Sequence, residues 1–134
     1  MTKYYLFFMT ILSCAMALLS CAEQKREASL EDSLSMYEQA IRWSLYDKAS
    51  NYLKEPGNVN LASMEGVRVT SYEPMGRDVS KKGLRVEENV KIHYIYQQDH
   101  VERSIIDHQV WEYDEKKNRW YLLTSLPEFT AANH

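Results

Sequence analysis

Apolar positions after residue 28 follow a helical period. Ser29 and Asp32 fit a capping box at the start of a helix. Apolar residues then recur at three- and four-residue spacing along one face, at Leu30, Leu34, Tyr37, Ile41 and Leu45. Ser44 and Asp47 repeat the Ser-x-x-acid pattern inside this stretch, which predicts a kink or a restart of the helix at that point.

The residues after the kink predict a second, shorter helix. Ala49, Tyr52 and Leu53 are expected to face inward, and Pro56-Gly57 closes the helix because proline cannot continue it. Residues 58–65 leave room for one loose helical turn. After Gly66 the period changes from a helical one to two residues, so the rest of the chain is predicted to be sheet.

Four runs predict four strands; the third has apolar residues on both faces. The first starts at Val67 and ends at Pro74, and the second starts at Val86. The third covers 101–113 and the fourth 119–126. One face of the second strand carries Val86, Glu88, Val90, Ile92, Tyr94 and Tyr96. This face is expected to point into the core, at least from Val90 onward. The short polar connections between the later strands predict an antiparallel meander.

These elements together predict an α+β fold. Strands of about 12 residues exceed the usual five or six, so they must twist or curl around something. The N-terminal helices are the available filling. We therefore expect a kinked helix pair packed on a curved antiparallel sheet of about four strands.

The first 20 residues have the three parts of an export signal. Lys3 supplies the positive end, an apolar run extends from Tyr4 to Leu19, and the small residue Ser20 precedes the cleavage point. A transmembrane helix is the alternative, but the run is slightly shorter than the roughly 20 residues needed to span a bilayer. Residues 1–20 are therefore predicted to be a signal peptide.

The run Leu18-Leu19-Ser20-Cys21 resembles the lipobox of bacterial lipoproteins, in which a diacylglycerol is attached to the cysteine sulfur and the signal peptide is then removed. The resemblance implies lipidation of Cys21, a flexible tether within 21–28 and a folded domain over 29–134. Leu12-Ser13-Cys14 is a second candidate, but it would leave an apolar overhang on the mature chain. Ala22 after the cysteine, by resemblance to enteric lipoproteins, implies the outer membrane, with the domain facing the periplasm.

Composition excludes several kinds of chemistry. Once Cys14 is removed and Cys21 is acylated, the domain has no thiol for disulfides, thiolate catalysis or metal binding. The formal net charge is −3, with both signs interspersed and no basic run, which argues against nucleic acid as a partner. No metal site is expected, because the histidines lack the spacing of metal ligands: His93, His100, His108 and His134. No cofactor is expected either, because the glycines are isolated and form no phosphate-binding loop: Gly57, Gly66, Gly76 and Gly83.

The order of helix, kinked helix and curved meander resembles the NTF2-like superfamily of cone-shaped α+β domains, and more closely its small uncharacterised lipoproteins of Gram-negative bacteria. The resemblance covers nearly all of the mature chain. It is carried by residues 40–44 and 46–49 on the helices, 67–72 on the first strand, and 111–113 with 119–122 on the last two. The connection between the second helix and the first strand is shorter than in fuller members, so any cavity is expected to be shallow or collapsed.

Enzymes of that superfamily place an aspartate or histidine inside the cone, where an apolar wall shifts its pKa toward neutrality. The candidates in this chain are Asp107 and His108. As strand neighbours they leave on opposite faces, so only one can point inward. His108 shares its face with Ile106 and Val110, which is compatible with partial burial, and Tyr94 on the preceding strand could lie nearby. A structural histidine is the favoured interpretation over a catalytic one.

The aromatic residues of the meander, Tyr94, Tyr96, Trp111, Tyr113, Trp120 and Tyr121, are interpreted mainly as core packing, with an exposed binding face as the alternative. The leading hypothesis is a non-enzymatic envelope lipoprotein whose domain binds a protein partner or a small apolar ligand near the membrane. The rival is an isomerase or hydro-lyase that uses His108 or Asp107 with a tyrosine hydroxyl. A homodimer formed through the sheet is a third possibility.

Overall fold

The structure of this chain is a computed structural model that describes residues 2–57 and 59–130; for 2, 3 and 5–18 it describes the backbone alone. The chain divides into two compact units, Met1–Asp32 and Ser33–His134. The side chains of Lys3 and Cys14, and all of Asn58 and His134, lie outside the described residues.

The first unit is helical. Helix α1 extends over Thr2–Arg42, so residues 22–28, expected to be a flexible tether, are α-helical, and no helix begins at Ser29. Ala, Glu, Gln, Lys and Arg fill this segment and have high helix propensity, which explains the continuity. The Ser29 hydroxyl donates to the Arg26 carbonyl at 3.0 Å instead of capping. Within the described part of the chain, no helix is both long enough and apolar enough to cross a membrane.

The predicted restart at Ser44 is confirmed. Helix α1 ends at Arg42, Ser44 adopts a φ of 56°, and helix α2 follows over Tyr46–Ser50. The second helix is shorter than expected: it ends at Ser50, well before Pro56-Gly57. Leu53 is buried as predicted, but it lies in a parallel bridge to Leu122 instead of on a helix. A 3₁₀ helix over Leu61–Met64 supplies the expected loose turn.

The second half of the chain is the predicted meander. Strands β1 (Val67–Val79), β2 (Arg85–Tyr96), β3 (Glu102–Asp114) and β4 (Arg119–Leu122) form one open antiparallel sheet in the order β1-β2-β3-β4. In the β3–β4 turn, Asn118 takes a φ of 50°, a conformation that asparagine tolerates better than most residues. The α+β class is thus confirmed, because the part of α1 that lies in the second unit packs on the four-stranded sheet.

Two strand boundaries were predicted wrongly. Strand β1 continues past Pro74 to Val79, because β1 is an edge strand and its pairing shifts register between Pro74 and Gly76, which accommodates a residue without an N–H. Strand β4 ends at Leu122 instead of Leu126. The outer edge of β4 pairs with the loop that follows α2. The Lys54 amide donates to the Leu122 carbonyl, and the Leu122 amide donates to the Tyr52 carbonyl.

The core lies between the helices and the inner face of the sheet. The face of β2 that was expected to point into the core is buried from Val90 to Tyr96, and Val86 and Glu88 at the start of that face are buried as well. From α1, Tyr37 packs edge-on against Trp111 of β3, with ring centroids 5.2 Å apart. Such pairs contribute about 0.5–1.5 kcal/mol beyond area burial. Trp111 and Trp120 are fully buried, so core packing explains these aromatic residues.

Candidate functional site

Cys21, the predicted lipid attachment point, lies on the helical first unit. Its side chain is exposed and its sulfur is in no disulfide. Acylation requires an accessible sulfur, so this position is chemically compatible with the expected modification.

Asp107 and His108 leave β3 on opposite faces, as strand geometry requires. Asp107 faces inward and is 9% exposed, whereas the side chain of His108 is 53% exposed. The expected partial burial of His108 is therefore wrong. The reason is the strand register: Asp107 pairs with the buried Val90, while His108 pairs with the exposed Asn89.

The three residues of the enzyme hypothesis do not form one site. His108 Nδ1 lies 2.9 Å from Asn89 Oδ1 on the outer face. Tyr94 is inward, but it pairs with Arg103, four positions from Asp107 along β3, and its hydroxyl donates to the Thr130 carbonyl at 3.1 Å. The expected proximity of Tyr94 to His108 is thus contradicted by the register.

Asp107 belongs to a buried polar network that the sequence pattern had not been expected to form. The Gln109 side-chain amide donates to Asp107 Oδ2 at 2.7 Å and to the Tyr72 hydroxyl at 2.9 Å. The Trp111 indole N–H donates to Gln109 Oε1 at 3.2 Å. The sequence signal was the alternation Asp107-x-Gln109-x-Trp111, which places three hydrogen-bonding side chains on one face of a strand.

Burial controls the ionisation of this network. It raises the pKa of Asp107 from 3.8 to about 6, although the hydrogen bond from Gln109 and the charge of His108 act in the opposite direction. Burial also raises the pKa of Tyr72. The pKa of Tyr37 is raised by burial and by the negative charge of Asp107, and the Tyr37 hydroxyl has no hydrogen-bond partner among the described residues.

Among the residues that the structure describes, no group of three or more His, Cys, Asp or Glu side chains could hold a metal ion. His93 Nε2 lies 4.0 Å from Glu73 on the outer face of the sheet, and His100 occupies the β2–β3 turn with a φ of 56°. The histidines at 93, 100 and 108 are therefore spread over a surface and a turn.

An exposed apolar surface of the second unit surrounds Trp43, at the break between α1 and α2. Its side chain is 75% exposed, and Met36 and Leu45 beside it are also exposed. A cavity of about 380 Å³, here called the Trp43 cavity, is lined by Met36, Trp43, Leu45, Lys48, Tyr52 and Arg119, among others. An exposed tryptophan beside apolar neighbours is typical of a binding surface, since tryptophan is enriched at interface hot spots.

Two further cavities lie on this unit. One, of about 870 Å³, is also lined by Trp43, together with Leu61 and Arg68. The other, of about 590 Å³, lies between the loop after α2 and the segment after β4, with Leu53 and Leu126 in its lining. None of these three cavities is lined by Asp107, His108 or Tyr94.

Comparisons of this chain with protein-family models, with curated proteins and with solved structures gave no match.

Proposed function

We propose that this chain is a lipid-anchored envelope lipoprotein whose domain, residues 29–134, is a non-enzymatic binding module of the NTF2-like type. The lipid on Cys21 anchors it to the outer membrane, and the domain faces the periplasm. The observation that carries the binding function is the exposed Trp43 between two cavities. Its occupant is a protein partner; a small apolar ligand in the cavity beside Leu53 is the alternative form of the same function.

Binding is favoured over catalysis by the surroundings of Asp107. An isomerase or hydro-lyase needs an ionisable group at the bottom of an open pocket. The pKa of Asp107, at about 6, suits proton transfer, but its carboxylate is held by Gln109, and Asp107 is absent from the lining of the three cavities described above. The network is better explained as a structural one in which buried polar groups satisfy one another.

The anchor is tested with two cysteine variants. Cells producing the full chain are labelled with an alkyne fatty acid and fractionated. Cys21→Ser is expected to abolish labelling and membrane association and to leave a larger, unprocessed chain. Cys14→Ser is the matched control, because the same substitution in the same apolar segment leaves the lipidation point intact. Loss of label in Cys14→Ser alone, or label retained in Cys21→Ser, contradicts the assignment.

The binding function is tested by site-specific photo-crosslinking in living cells. A photoreactive residue at position 43 is expected to form a discrete adduct with another protein. The same residue at position 106 is the control, because Ile106 is 57% exposed but lies on the outer face of the sheet. Adducts at 106 and not at 43 would instead favour a partner, or a second copy of this chain, on the sheet. Light scattering of the purified chain separates those two outcomes.

A further inference from the structure

We propose that the Trp43 cavity accepts an acidic segment of a partner protein, in which an apolar side chain lies beside carboxylates. The apolar side chain packs against Trp43, and the carboxylates pair with Lys48 and Arg119. This inference rests on the proposed binding function and adds the chemical class of the partner.

The charges around the cavity carry the argument. Lys48 and Arg119 are both exposed, and among the residues that the structure describes the lining contains these two cations and no carboxylate. The whole chain has a formal charge of −3, so the two positive charges of this lining stand out against an acidic chain. Arg42, next to Trp43, is already paired with Glu38 at 3.3 Å, so it adds less positive charge to this surface than Lys48 or Arg119 does. Such local complementarity selects a negatively charged partner and speeds its association.

Arg119 is held in place before any partner arrives. Its guanidinium lies over the rings of Tyr121 and Tyr52, with centroid distances of 5.1 and 5.7 Å, and Nη2 donates to the Asn51 carbonyl at 2.7 Å. A guanidinium has five N–H donors in a planar fork, which suits a carboxylate. Because the side chain is already ordered, less conformational entropy is lost when the ion pair forms.

The position of Trp43 favours an extended chain over a compact ligand. Trp43 lines both the Trp43 cavity and the cavity of about 870 Å³, so an occupant that covers the indole on both sides must continue from one cavity into the other. A peptide backbone does this while placing side chains in each. Its apolar residue would be desolvated against the indole, as at interface hot spots.

The test uses the full chain in neutral detergent micelles and fluorescence anisotropy of a labelled peptide of alternating acidic and Leu or Phe residues. Two control peptides replace either all acids with lysine or all apolar residues with alanine. Only the acidic, apolar peptide is expected to bind. Because Trp111 and Trp120 are fully buried, a blue shift of tryptophan emission on binding reports the covering of Trp43.

Variants of matched charge locate the site. Lys48→Glu is expected to weaken binding about tenfold, whereas Lys81→Glu, the same charge change in the β1–β2 turn, is expected to stay within about twofold. Trp43→Ala is expected to remove the emission shift and most of the binding. Arg119→Lys retains the charge and is expected to weaken binding less than Arg119→Ala.

Three results would overturn the proposal. These are equal binding of the lysine peptide, equal effects of the two charge reversals, and Trp43-dependent binding of phosphatidylglycerol vesicles in place of the peptide. If the crosslink at position 43 captures a protein while the acidic peptide fails to bind, the binding function stands and the acidic chemistry is wrong. If the peptide fails and no crosslink forms, both proposals are wrong.

Discussion

Replacing Asp107 with asparagine tests whether the buried carboxylate lowers the stability of the fold at neutral pH. Asp107 is 9% exposed, and its hydrogen-bond partner is the neutral amide of Gln109. Ionising it inside the protein is therefore less favourable than in the unfolded chain. Asparagine has nearly the same shape, carries no charge, and offers an oxygen that can still accept the hydrogen bond from Gln109.

The size and pH range of the effect follow from the pKa. Below pH 3.8 the Asp107 carboxyl is protonated in both the folded and the unfolded chain, so its ionisation costs the folded state no stability. As the pH rises toward the folded pKa of about 6, the unfolded chain ionises first and the folded state loses stability. Each unit of pKa difference corresponds to about 1.36 kcal/mol, so above pH 6 the folded state has lost about 3 kcal/mol of stability relative to pH values below 3.8. Asparagine avoids this loss.

The assay is urea unfolding of the chain from Ala22 onward, followed by tryptophan fluorescence at several pH values from 4 to 8. Asp107→Asn is expected to match the unsubstituted protein near pH 4 and to be up to about 3 kcal/mol more stable at pH 7.5. Glu88→Gln is the control: Glu88 is also buried, but its carboxylate lies 3.4 Å from Arg77, so its removal should destabilise the fold at neutral pH. A pH-independent difference for Asp107→Asn, or a destabilisation at pH 7.5, would refute the reasoning.

Four further substitutions test the packing and the β3–β4 turn. Tyr37→Phe removes a buried hydroxyl that has no partner among the described residues, and is expected to raise the free energy of unfolding by about 1 kcal/mol in urea. Trp43→Ala is expected to change stability by less than about 0.5 kcal/mol, whereas Trp120→Ala should cost about 3–5 kcal/mol; circular dichroism distinguishes them. Asp114→Ala removes a carboxylate whose pKa is lowered by hydrogen bonds from the amides of Lys117 and Lys116, so its destabilising effect should shrink as the pH falls below 3.8.

The sequence alone determined the elements whose pattern is local. The alternation along β2 identified its buried face from Val90 to Tyr96, because successive side chains of a strand must leave on opposite faces. The short polar connections likewise indicated the meander. The repeated Ser-x-x-acid pattern at Ser44 marked the helix restart, even though the side chain there bonds to Val67 instead of capping α2.

Tertiary structure decided what depends on partners distant in sequence. Alternation states that Asp107 and His108 oppose each other, but only the pairing of Asp107 with Val90 chooses which one is buried. The network around Gln109 joins β1 to β3 and cannot be read from either strand alone. The Trp43 surface likewise arises where α1 stops and Arg119 of β4 arrives, because exposure is a property of what the rest of the chain leaves uncovered.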